Sequence, residues 1–423
     1  MLFAEFCIFA NMSAEIIRFQ GKSIKRALKY RRIVILSGAR QTGKTTLAKQ
    51  ISGKDIDYCT LDDTDMLKIA TEDPKGFLKN SHAKTMVIDE IQKAPKLIPE
   101  IKMLADKSNR NGQFLLTGSA NLQTLPGVTE SLAGRVKNIR LRPLTMSEIS
   151  SSKPVFLEKA FNKNFPLKIE GFGKNEIAEI AFRGGYPEAV RLKRNAEQRE
   201  WHKDYLRTLL EHDLRDIANI RRQNTLNELL GILASWSAKF MDAAAIGSNL
   251  SLNKATLESY INALVSLYLF EQVPPYLKTD YDRVGRKGKI FATDTGLMAS
   301  ILGWNKKEVL LNHDRSGKLI ETFIFQEIAA LADLKSDYSL CQYRDRENRE
   351  IDFIIEREDG ALLGIEAKAG HNVSKEDFKH LEWFEKNIVK GKNDFIGIVL
   401  YSGDRTIHFS KNMLAVPTAA LWG

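Results

Sequence analysis

The chain has 423 residues, 43% of them hydrophobic and 27% charged, with a formal net charge of +10 and a pI near 9.2. Its length predicts about three domains of roughly 150 residues each, and its composition excludes a chain that is disordered throughout. The three cysteines are too few and too dispersed for a disulfide framework or a zinc site, and they suit a reducing cytoplasm. The net positive charge favours a polyanionic partner, either nucleic acid or an anionic membrane surface.

The N-terminal eleven residues are apolar, include Glu5 and lack a basic start. A secretory signal peptide has a positively charged start and a cleavage site, so we do not expect export, and Met12 is a candidate for the true initiator. No later apolar run reaches the roughly 18–20 residues that span a bilayer, so we expect a cytoplasmic protein without a membrane partner. Between Arg18 and Arg32 the chain carries five basic residues and no acidic one, which indicates either a solvated helix face or a contact with DNA.

The segment 38–45 matches the phosphate-binding pattern of two glycines five residues apart, followed by lysine and a hydroxyl residue. An aliphatic run at 32–36 predicts a buried strand before it, and 46–51 predicts a helix after it. The glycines let successive N–H groups converge on phosphates at the N-terminus of that helix. Lys44 is expected to meet the β- and γ-phosphates of ATP, and Thr45 to ligate Mg²⁺. The residues expected to bind the nucleotide are Gly38, Ala39, Arg40, Gln41, Thr42, Gly43, Lys44, Thr45 and Thr46, together with Ser119 at the end of a later strand.

Two carboxylates, Asp89 and Glu90, follow an apolar run that predicts a second strand of the nucleotide site. We expect Asp89 to hold Mg²⁺, directly or through water, and Glu90 to orient and deprotonate the attacking water, which favours ATP hydrolysis over nucleotide storage. A further strand at 113–119 ends in small hydroxyl residues, and Thr117 or Ser119 either lies near the γ-phosphate or only caps the strand. The alternation of strands and helices predicts an α/β domain with a parallel sheet and helices on both faces.

The middle of the chain carries a different pattern. The nucleotide-binding domain is expected to end near residue 150, and 151–224 to form a helical linker or lid. Residues 225–300 predict three helices and then an extended pair with the basic residues Arg286 and Lys289, which is typical of a winged helix-turn-helix. The three predicted helices are 226–237, 241–248 and 254–269, and the recognition helix is expected to open with Ser251, Asn253, Lys254 and Thr256. Alternatively, this region contacts proteins or covers the nucleotide site as a lid.

The C-terminal part contains a second group of residues with chemistry. The runs 350–356 and 362–368 predict two strands joined by a tight turn at an Asp-Gly pair. Side chains two apart on a strand share a face, so Glu366 and Lys368 are expected to point together, and Asp352 on the neighbouring strand can complete the site. The plain alternative is a solvated strand face with a salt bridge.

Four segments together resemble a prokaryotic family of AAA-type P-loop ATPases whose C-terminal half has no settled function. These segments are 38–45, 87–92 (Val-Ile-Asp-Glu-Ile-Gln), 116–119 (Leu-Thr-Gly-Ser) and 132–136 (Leu-Ala-Gly-Arg-Val). In related ATPases an arginine after the sensor strand reaches a γ-phosphate, often across a subunit boundary, and Arg135 occupies the matching position. The resemblance therefore implies a homo-oligomer in which Arg135 stabilises transition-state charge, with a structural arginine at the sheet edge as the alternative.

The C-terminal strands resemble the PD-(D/E)xK nuclease fold, including its Holliday-junction resolvase branch. The resemblance implies that Asp352 and Glu366 ligate Mg²⁺, that Lys368 orients the attacking water, and that Glu321 is the helix acid of the pattern. The implied chemistry is metal-assisted hydrolysis of a phosphodiester. Ile351 stands where the pattern often has proline, and members of such folds can lose catalysis and keep binding.

These inferences combine into an α/β protein of four parts. They are an AAA-type P-loop domain with a parallel sheet (1–150), a helical linker or lid (151–224), a winged-helix domain (225–300) and an α/β restriction-endonuclease-like domain (301–423). The expected function is Mg²⁺-dependent ATP hydrolysis in a DNA-associated protein whose nucleotide state controls the nuclease-like, DNA-binding module. The alternative is a nucleotide-operated switch that docks protein partners, with a catalytically inactive nuclease-like domain.

Overall fold

The computed structural model describes residues 16–51, 53, 55–119, 134–169, 172–213, 223–276, 288–391 and 394–423. These residues divide into two compact units. The first contains Arg18–Pro143 and Ser266–Tyr268, and the second contains Leu144–Val265 and Leu269–Gly423. Within the described ranges, no helix combines the length and the hydrophobicity that a membrane span requires.

The first unit is built on a sheet of five strands, all parallel, in the order β2-β3-β4-β1-β5. The strands are β1 (Ile33–Ser37), β2 (Ile56–Thr60), β3 (Thr85–Asp89), β4 (Phe114–Gly118) and β5 (Val136–Arg140). Parallel neighbours require crossover connections, and helices supply them. The predicted parallel α/β domain is therefore confirmed.

Helices cover this sheet on both faces. They are Gln20–Tyr30, Lys44–Ile51, Thr64–Glu72, Pro74–Lys79 and Leu97–Ser108, with a 3₁₀ turn at Ile91–Lys93. Because successive strand side chains point to opposite faces, β1 contributes to two cores. Ile33 and Ile35 belong to one core, which contains Leu97 of the last helix, whereas Val34 and Leu36 belong to the other. Burial on both faces explains why β1 is a continuous aliphatic run.

The second unit begins with helices. They are Met146–Ile149, Phe156–Phe161, Lys174–Arg183, Pro187–Arg191, Asn195–Thr208, Gln223–Ser235, Ala243–Leu250 and Lys254–Ser266. The last three overlap the three helices predicted for the winged region. A three-stranded antiparallel sheet accompanies them, in the order β6-β8-β7, with β6 at Lys239–Phe240, β7 at Phe270–Val273 and β8 at Lys289–Ala292. Most of the predicted basic hairpin, including Arg286, lies outside the described residues.

The C-terminal part of this unit has a mixed sheet of six strands, in the order β13-β14-β12-β11-β10-β9. The strands are β9 (Tyr338–Arg344), β10 (Glu350–Arg357), β11 (Leu362–Ala367), β12 (Phe395–Tyr401), β13 (Ile407–His408) and β14 (Met413–Pro417). The pairs β9/β10 and β10/β11 are antiparallel, whereas β11/β12 and β12/β14 are parallel. The remaining α-helices are Thr295–Ile301, Lys306–Leu311, His313–Asp333 and Lys379–Phe384.

The turn between β10 and β11 forms at the predicted Asp-Gly pair. Gly360 has φ +86°, a conformation that favours glycine. Its N–H donates to the Arg357 carbonyl over 2.8 Å, and the Arg357 N–H donates to the Ala361 carbonyl over 2.9 Å. This hairpin sets the register in which Phe353 lies opposite Ile365, and it places Asp352 beside the end of β11.

Candidate functional site

The loop 38–43 connects the end of β1 to the helix Lys44–Ile51, as the phosphate-binding pattern requires. Gly38 has φ +153° and Gly43 has φ +95°. A Cβ atom on Gly38 would lie 2.2 Å from the Leu141 carbonyl oxygen, so only glycine fits there. Ala39 and Thr42 are buried, Arg40 is partly buried, and Gln41 and Thr46 are exposed.

The Lys44 side chain lies back along this loop. It is buried, and its ammonium donates to the carbonyls of Gly38 and Ala39 over 3.0 and 2.8 Å. The Thr42 hydroxyl also donates to the Ala39 carbonyl, over 2.9 Å. The phosphate-binding loop is therefore held in one shape, with the Lys44 ammonium hydrogen-bonded to carbonyl groups of the same loop.

Arg18 fixes the loop from outside. Its guanidinium donates to the Thr42 carbonyl over 2.5 Å and to the Arg142 carbonyl over 2.6 Å, and the residue is buried. Sequence reasoning did not find this contribution, because Arg18 opens a run of basic residues that resembles a solvated surface. Its burial depends on tertiary contacts that local sequence does not contain.

Asp89 lies at the end of β3 and is fully buried. One carboxylate oxygen accepts from the Thr45 hydroxyl over 2.8 Å and from the Tyr58 phenol over 2.9 Å. The other oxygen accepts from the Thr117 hydroxyl at the end of β4. Burial and the hydrogen bond to Asp89 raise the pKa of Tyr58, so its phenol stays a donor. The structure thus brings the predicted ligands Thr45 and Asp89 together.

Glu90 has φ +59°, a left-handed conformation that is unusual for a residue with a side chain. Its N–H donates to the Thr117 hydroxyl oxygen over 3.1 Å. Its carboxylate accepts from the Gln92 amide, which also donates to the Ser119 hydroxyl over 3.1 Å. Gln92 therefore links two residues that sequence reasoning had named separately. Its presence next to an acidic pair was the only signal for this role.

Arg135 immediately precedes β5, whereas the phosphate loop follows the C-terminal end of β1. Because β1 and β5 are parallel neighbours, Arg135 and the loop lie at opposite ends of the strands. The Arg135 guanidinium forms an ion pair with Asp106 over 2.5 Å and lowers the pKa of that carboxyl, and Arg32 pairs with the same oxygen over 3.1 Å. An open cleft of about 430 Å³ lies there, lined by Tyr30, Arg31, Arg32, Asn109, Asn111, Gly134 and Arg135. Arg135 does not reach the phosphate loop of its own chain.

The predicted recognition helix starts at Lys254, after Ser251 in a left-handed conformation. The Asn253 side chain accepts from the Thr256 N–H over 2.9 Å, which caps the helix. Ser251, Asn253 and Lys254 are exposed, and Thr256 is partly buried. Asn253 therefore caps the helix, and Lys254 is exposed at its first position.

The C-terminal carboxylates surround a lysine. The Lys289 ammonium contacts Glu321 over 2.5 Å, Glu350 over 2.6 Å and Asp352 over 2.9 Å. Lys289 lies on β8 and is 1% exposed. Lys289 thus lies on a strand of the predicted basic extended pair, but its side chain is buried and its charge is paired with Asp352 and with the partly buried Glu321 and Glu350. We call Lys289, Glu321, Glu350, Asp352 and Glu366 the acid cluster.

Burial and the neighbouring charges shift the pKa values of the carboxyl groups in the acid cluster. Burial would raise the pKa of Asp352, but Lys289 and the Ala367 N–H, 2.9 Å away, lower it overall. Burial, the Asp352 charge and a hydrogen bond with Asp352 hold the pKa of Glu366 well above its usual range. Burial and Asp352 also raise the pKa of Glu321 to about 8. The cluster thus carries fewer negative charges than its composition indicates.

Lys368 does not lie in this cluster of contacts. Its ammonium pairs with Asp377 over 2.8 Å, and its side chain is 44% exposed. Of the four predicted nuclease residues, the structure therefore brings Glu321, Asp352 and Glu366 together. The fourth, Lys368, pairs with Asp377 instead. Among the described residues, no three His, Cys, Asp or Glu side chains are arranged to hold a metal ion. The acid cluster does not fit Mg²⁺ as it stands, because a lysine ammonium lies between the carboxylates.

Comparison with known proteins divides the chain into three matches. Residues 30–150 match a family described as an AAA domain, and residues 174–308 and 316–421 match two families that are each described as a domain of unknown function. An uncharacterized protein of Mycobacterium tuberculosis is 28% identical over 348 residues, which cover 82% of this chain and 72% of that protein. An uncharacterized protein of Methanocaldococcus jannaschii is 21% identical over 389 residues, covering 88% and 83%.

Solved structures resemble the chain weakly. AMPPCP-bound DnaA from Aquifex aeolicus has a TM-score of 0.30 at 14% identity, covering 60% of this chain and 90% of that one. A Holliday junction branch migration motor, RuvB from Thermotoga maritima, has a TM-score of 0.27 at 20% identity, covering 61% and 90%. The family match, the parallel sheet and the loop between β1 and its helix agree with one another. Residues 30–150 are therefore an AAA-type P-loop domain with a nucleotide-binding fold.

Proposed function

We propose that this chain binds ATP with Mg²⁺ and hydrolyses it at the loop 38–45. The observation that carries the proposal is the 2.8 Å contact between the Thr45 hydroxyl and the buried Asp89 carboxylate. A hydroxyl and a carboxylate are oxygen ligands that suit Mg²⁺, so these residues fit the ion and would hold it. Magnesium bound with ATP supplies charge neutralisation at the phosphates. Lys44 would exchange its two loop carbonyls for phosphate oxygens.

The proposed general base is Glu90. Its carboxylate is oriented by Gln92, which Ser119 holds in turn, so the base stands on the strand end next to Asp89. A carboxylate fixed in this way can orient water and accept its proton. Arg135 would act only on the nucleotide of a second copy of the chain, which makes a homo-oligomer part of the proposal.

Steady-state ATP hydrolysis tests this assignment. We expect Lys44→Ala and Glu90→Gln to lower kcat by about 100-fold or more. The matched control is Lys107→Ala, which removes an exposed lysine from the helix Leu97–Ser108. Hydrolysis at the wild-type rate by Lys44→Ala would refute the proposed site.

We also propose that the chain binds DNA and that nucleotide state controls this binding. The net charge of +10 supports a polyanionic partner, and the helix order with the sheet order β6-β8-β7 supports a winged helix whose exposed Lys254 opens the recognition helix. ATP and ADP would bias two arrangements of the chain with different DNA affinity. In this reading the C-terminal sheet is a nuclease-like, DNA-binding module.

Fluorescence anisotropy with duplex and branched DNA tests this second part. Affinity is expected to fall at least tenfold between about 50 and 200 mM salt and to differ among ATP, ADP and no nucleotide. Lys254→Ala should weaken binding, whereas Lys107→Ala, an exposed lysine on the helix Leu97–Ser108 of the first unit, serves as the control. Equal DNA affinity with ATP, with ADP and without nucleotide would refute the proposal that nucleotide state controls DNA binding.

A second candidate function is a nucleotide-operated switch that docks a protein partner. The position of Lys289 among the carboxylates favours it, because the nuclease-like sheet then lacks a metal site. Supercoiled, linear and branched DNA incubated with Mg²⁺ and ATP distinguish the candidates. Cleavage that is lost in Asp352→Ala supports a nuclease, and ATP hydrolysis without cleavage supports the switch.

A further inference from the structure

Lys289 is held in the acid cluster by the packing of its strand. β8 pairs with β6 through Lys239 and Phe240 and with β7 through four residues, so the Lys289 backbone is fixed on both sides. The Ala292 N–H on the same strand donates to the Ser237 hydroxyl over 3.0 Å, and that hydroxyl lies 2.8 Å from the Thr322 hydroxyl. Thr322 follows Glu321 on the helix His313–Asp333. The lysine and one of its acids are therefore carried by elements bonded to each other.

A second connection joins the same sheet to β9. The Tyr276 N–H donates to the Gln342 carbonyl over 2.6 Å, and the Gln342 N–H donates to the Pro274 carbonyl over 2.9 Å. β9 pairs with β10, which carries Glu350 and Asp352. The three acids that contact Lys289 thus come from a helix and a strand that are both tied to the three-stranded sheet. The position of the ammonium follows from the fold of the unit.

Three carboxyl groups of the acid cluster converge on one cation. Glu350 and Asp352 contact the ammonium from β10, and Glu321 contacts it from the helix, while the Lys289 side chain is 2% exposed. A buried carboxylate without a positive partner is costly, and several together are more so. Lys368 does not fill this need, because its ammonium pairs with Asp377. A divalent ion and an ammonium group cannot share the space between the same carboxylate oxygens.

We propose that Lys289 is an internal cation that occupies the place of a metal ion in the acid cluster and closes the nuclease-like sheet to divalent cations. The inference rests on the proposed nuclease-like role of the C-terminal sheet. It identifies a lysine contributed by the three-stranded sheet as the element that keeps the carboxylates from acting as ligands. Removing this ammonium is expected to open the cluster to a divalent cation.

Mn²⁺ binding without nucleotide tests the proposal, read by the electron paramagnetic resonance signal of free Mn²⁺ and by thermal unfolding. The proteins compared are wild type, Asp352→Asn, Lys289→Met and Lys289→Met with Asp352→Asn. Wild type should bind no Mn²⁺ that depends on Asp352. Lys289→Met should bind one Mn²⁺ per chain, and its Tm should rise by roughly 2–4 °C when Mn²⁺ exceeds its Kd about tenfold. The double variant should lose both effects.

Two results would overturn the inference. One is Asp352-dependent Mn²⁺ binding by wild type, which would mean that the ammonium does not exclude the ion. The other is a folded Lys289→Met that binds no Mn²⁺ in this way. If Lys289→Met fails to fold, the charge-matched variant Lys289→Met with Glu350→Gln replaces it, since Glu321, Asp352 and Glu366 remain. Its Asp352-dependent binding supports the inference, and absence of such binding refutes it.

The readout separates this inference from the proposed function. Mn²⁺ uptake is measured without ATP and without DNA, so loss of ATP hydrolysis or of DNA affinity does not affect it. Conversely, DNA cleavage by wild type that depends on Mg²⁺ and Asp352 would support the nuclease-like role and contradict the closure by Lys289.

Discussion

The Thr45 hydroxyl donates to the Asp89 carboxylate over 2.8 Å, although 44 residues separate them in the chain. Thr45 lies in the first turn of the helix after β1, Asp89 is the last residue of β3, and β4 lies between these two strands. Thr117 at the end of β4, the strand between β1 and β3, donates to the same carboxylate. The ends of β1, β3 and β4 therefore meet at one buried carboxylate, which is where the proposed function would hold Mg²⁺.

Asp89→Asn should abolish the proposed metal role while keeping the size of the side chain. We expect kcat for ATP hydrolysis to fall by at least about 100-fold, because an amide neutralises the charge that faces Mg²⁺. The measurement is steady-state hydrolysis across a Mg²⁺ titration. Asp204→Asn is the matched control, since that carboxylate is exposed on the helix Asn195–Thr208 of the second unit. An unchanged kcat in Asp89→Asn would contradict the assignment.

Gln92→Ala should reduce turnover without weakening nucleotide binding. The Gln92 amide holds the Glu90 carboxylate and the Ser119 hydroxyl, so its loss leaves the proposed base free to rotate. One hydrogen bond to a charged group corresponds to about 1.5–3 kcal/mol, which predicts a fall in kcat of roughly 10- to 150-fold. KM should change little. A result in which KM rises and kcat is unchanged would assign Gln92 to binding.

Arg135→Ala tests assembly through complementation. Arg135 and the phosphate loop of one chain lie at opposite ends of the parallel strands, so any action of Arg135 on ATP requires a second copy. We expect Arg135→Ala and Lys44→Ala each to be inactive and their mixture to regain part of the wild-type rate, because one kind of subunit pair has both groups intact. Hydrolysis is measured against the mixing ratio. A mixture that remains inactive would leave Arg135 as a structural partner of Asp106.

The prediction from sequence succeeded where the signal was local and failed where it depended on burial. The loop 38–45 and Asp89 follow directly after aliphatic strands, so strand direction places them at one edge of a parallel sheet. Lys289 and Arg18 are charged residues within basic stretches, and such stretches are usually solvated. Lys289 meets Glu350 and Asp352 across 61 and 63 residues of chain. No local pattern contains that pairing, so only the folded structure reveals that its charge is internal.

His202 should make the second unit sensitive to acid. It is 1% exposed, both ring nitrogens lack a hydrogen-bond partner among the described residues, and burial lowers its pKa from 6.5 to about 4. Because the folded-state pKa lies below the unfolded one, the neutral ring stabilises the fold fully above pH 6.5. That stability falls as the pH drops through 6.5 towards 4, by about 3 kcal/mol over the whole interval.

His202→Leu replaces the titrating group with an apolar side chain of similar size beside Gly296, where an added Cβ would lie 2.7 Å from the His202 ring. Urea unfolding at pH 7, 6, 5 and 4, followed by circular dichroism, should show a smaller loss of stability in the variant than in wild type. Asp294 and Glu327 act in the opposite direction, because burial raises the pKa of Asp294 to about 6 and that of Glu327 to about 8, so their protonation stabilises the fold as the pH falls. The difference between variant and wild type isolates the histidine. Parallel pH dependences in both would show that His202 finds a partner for its proton in the folded state.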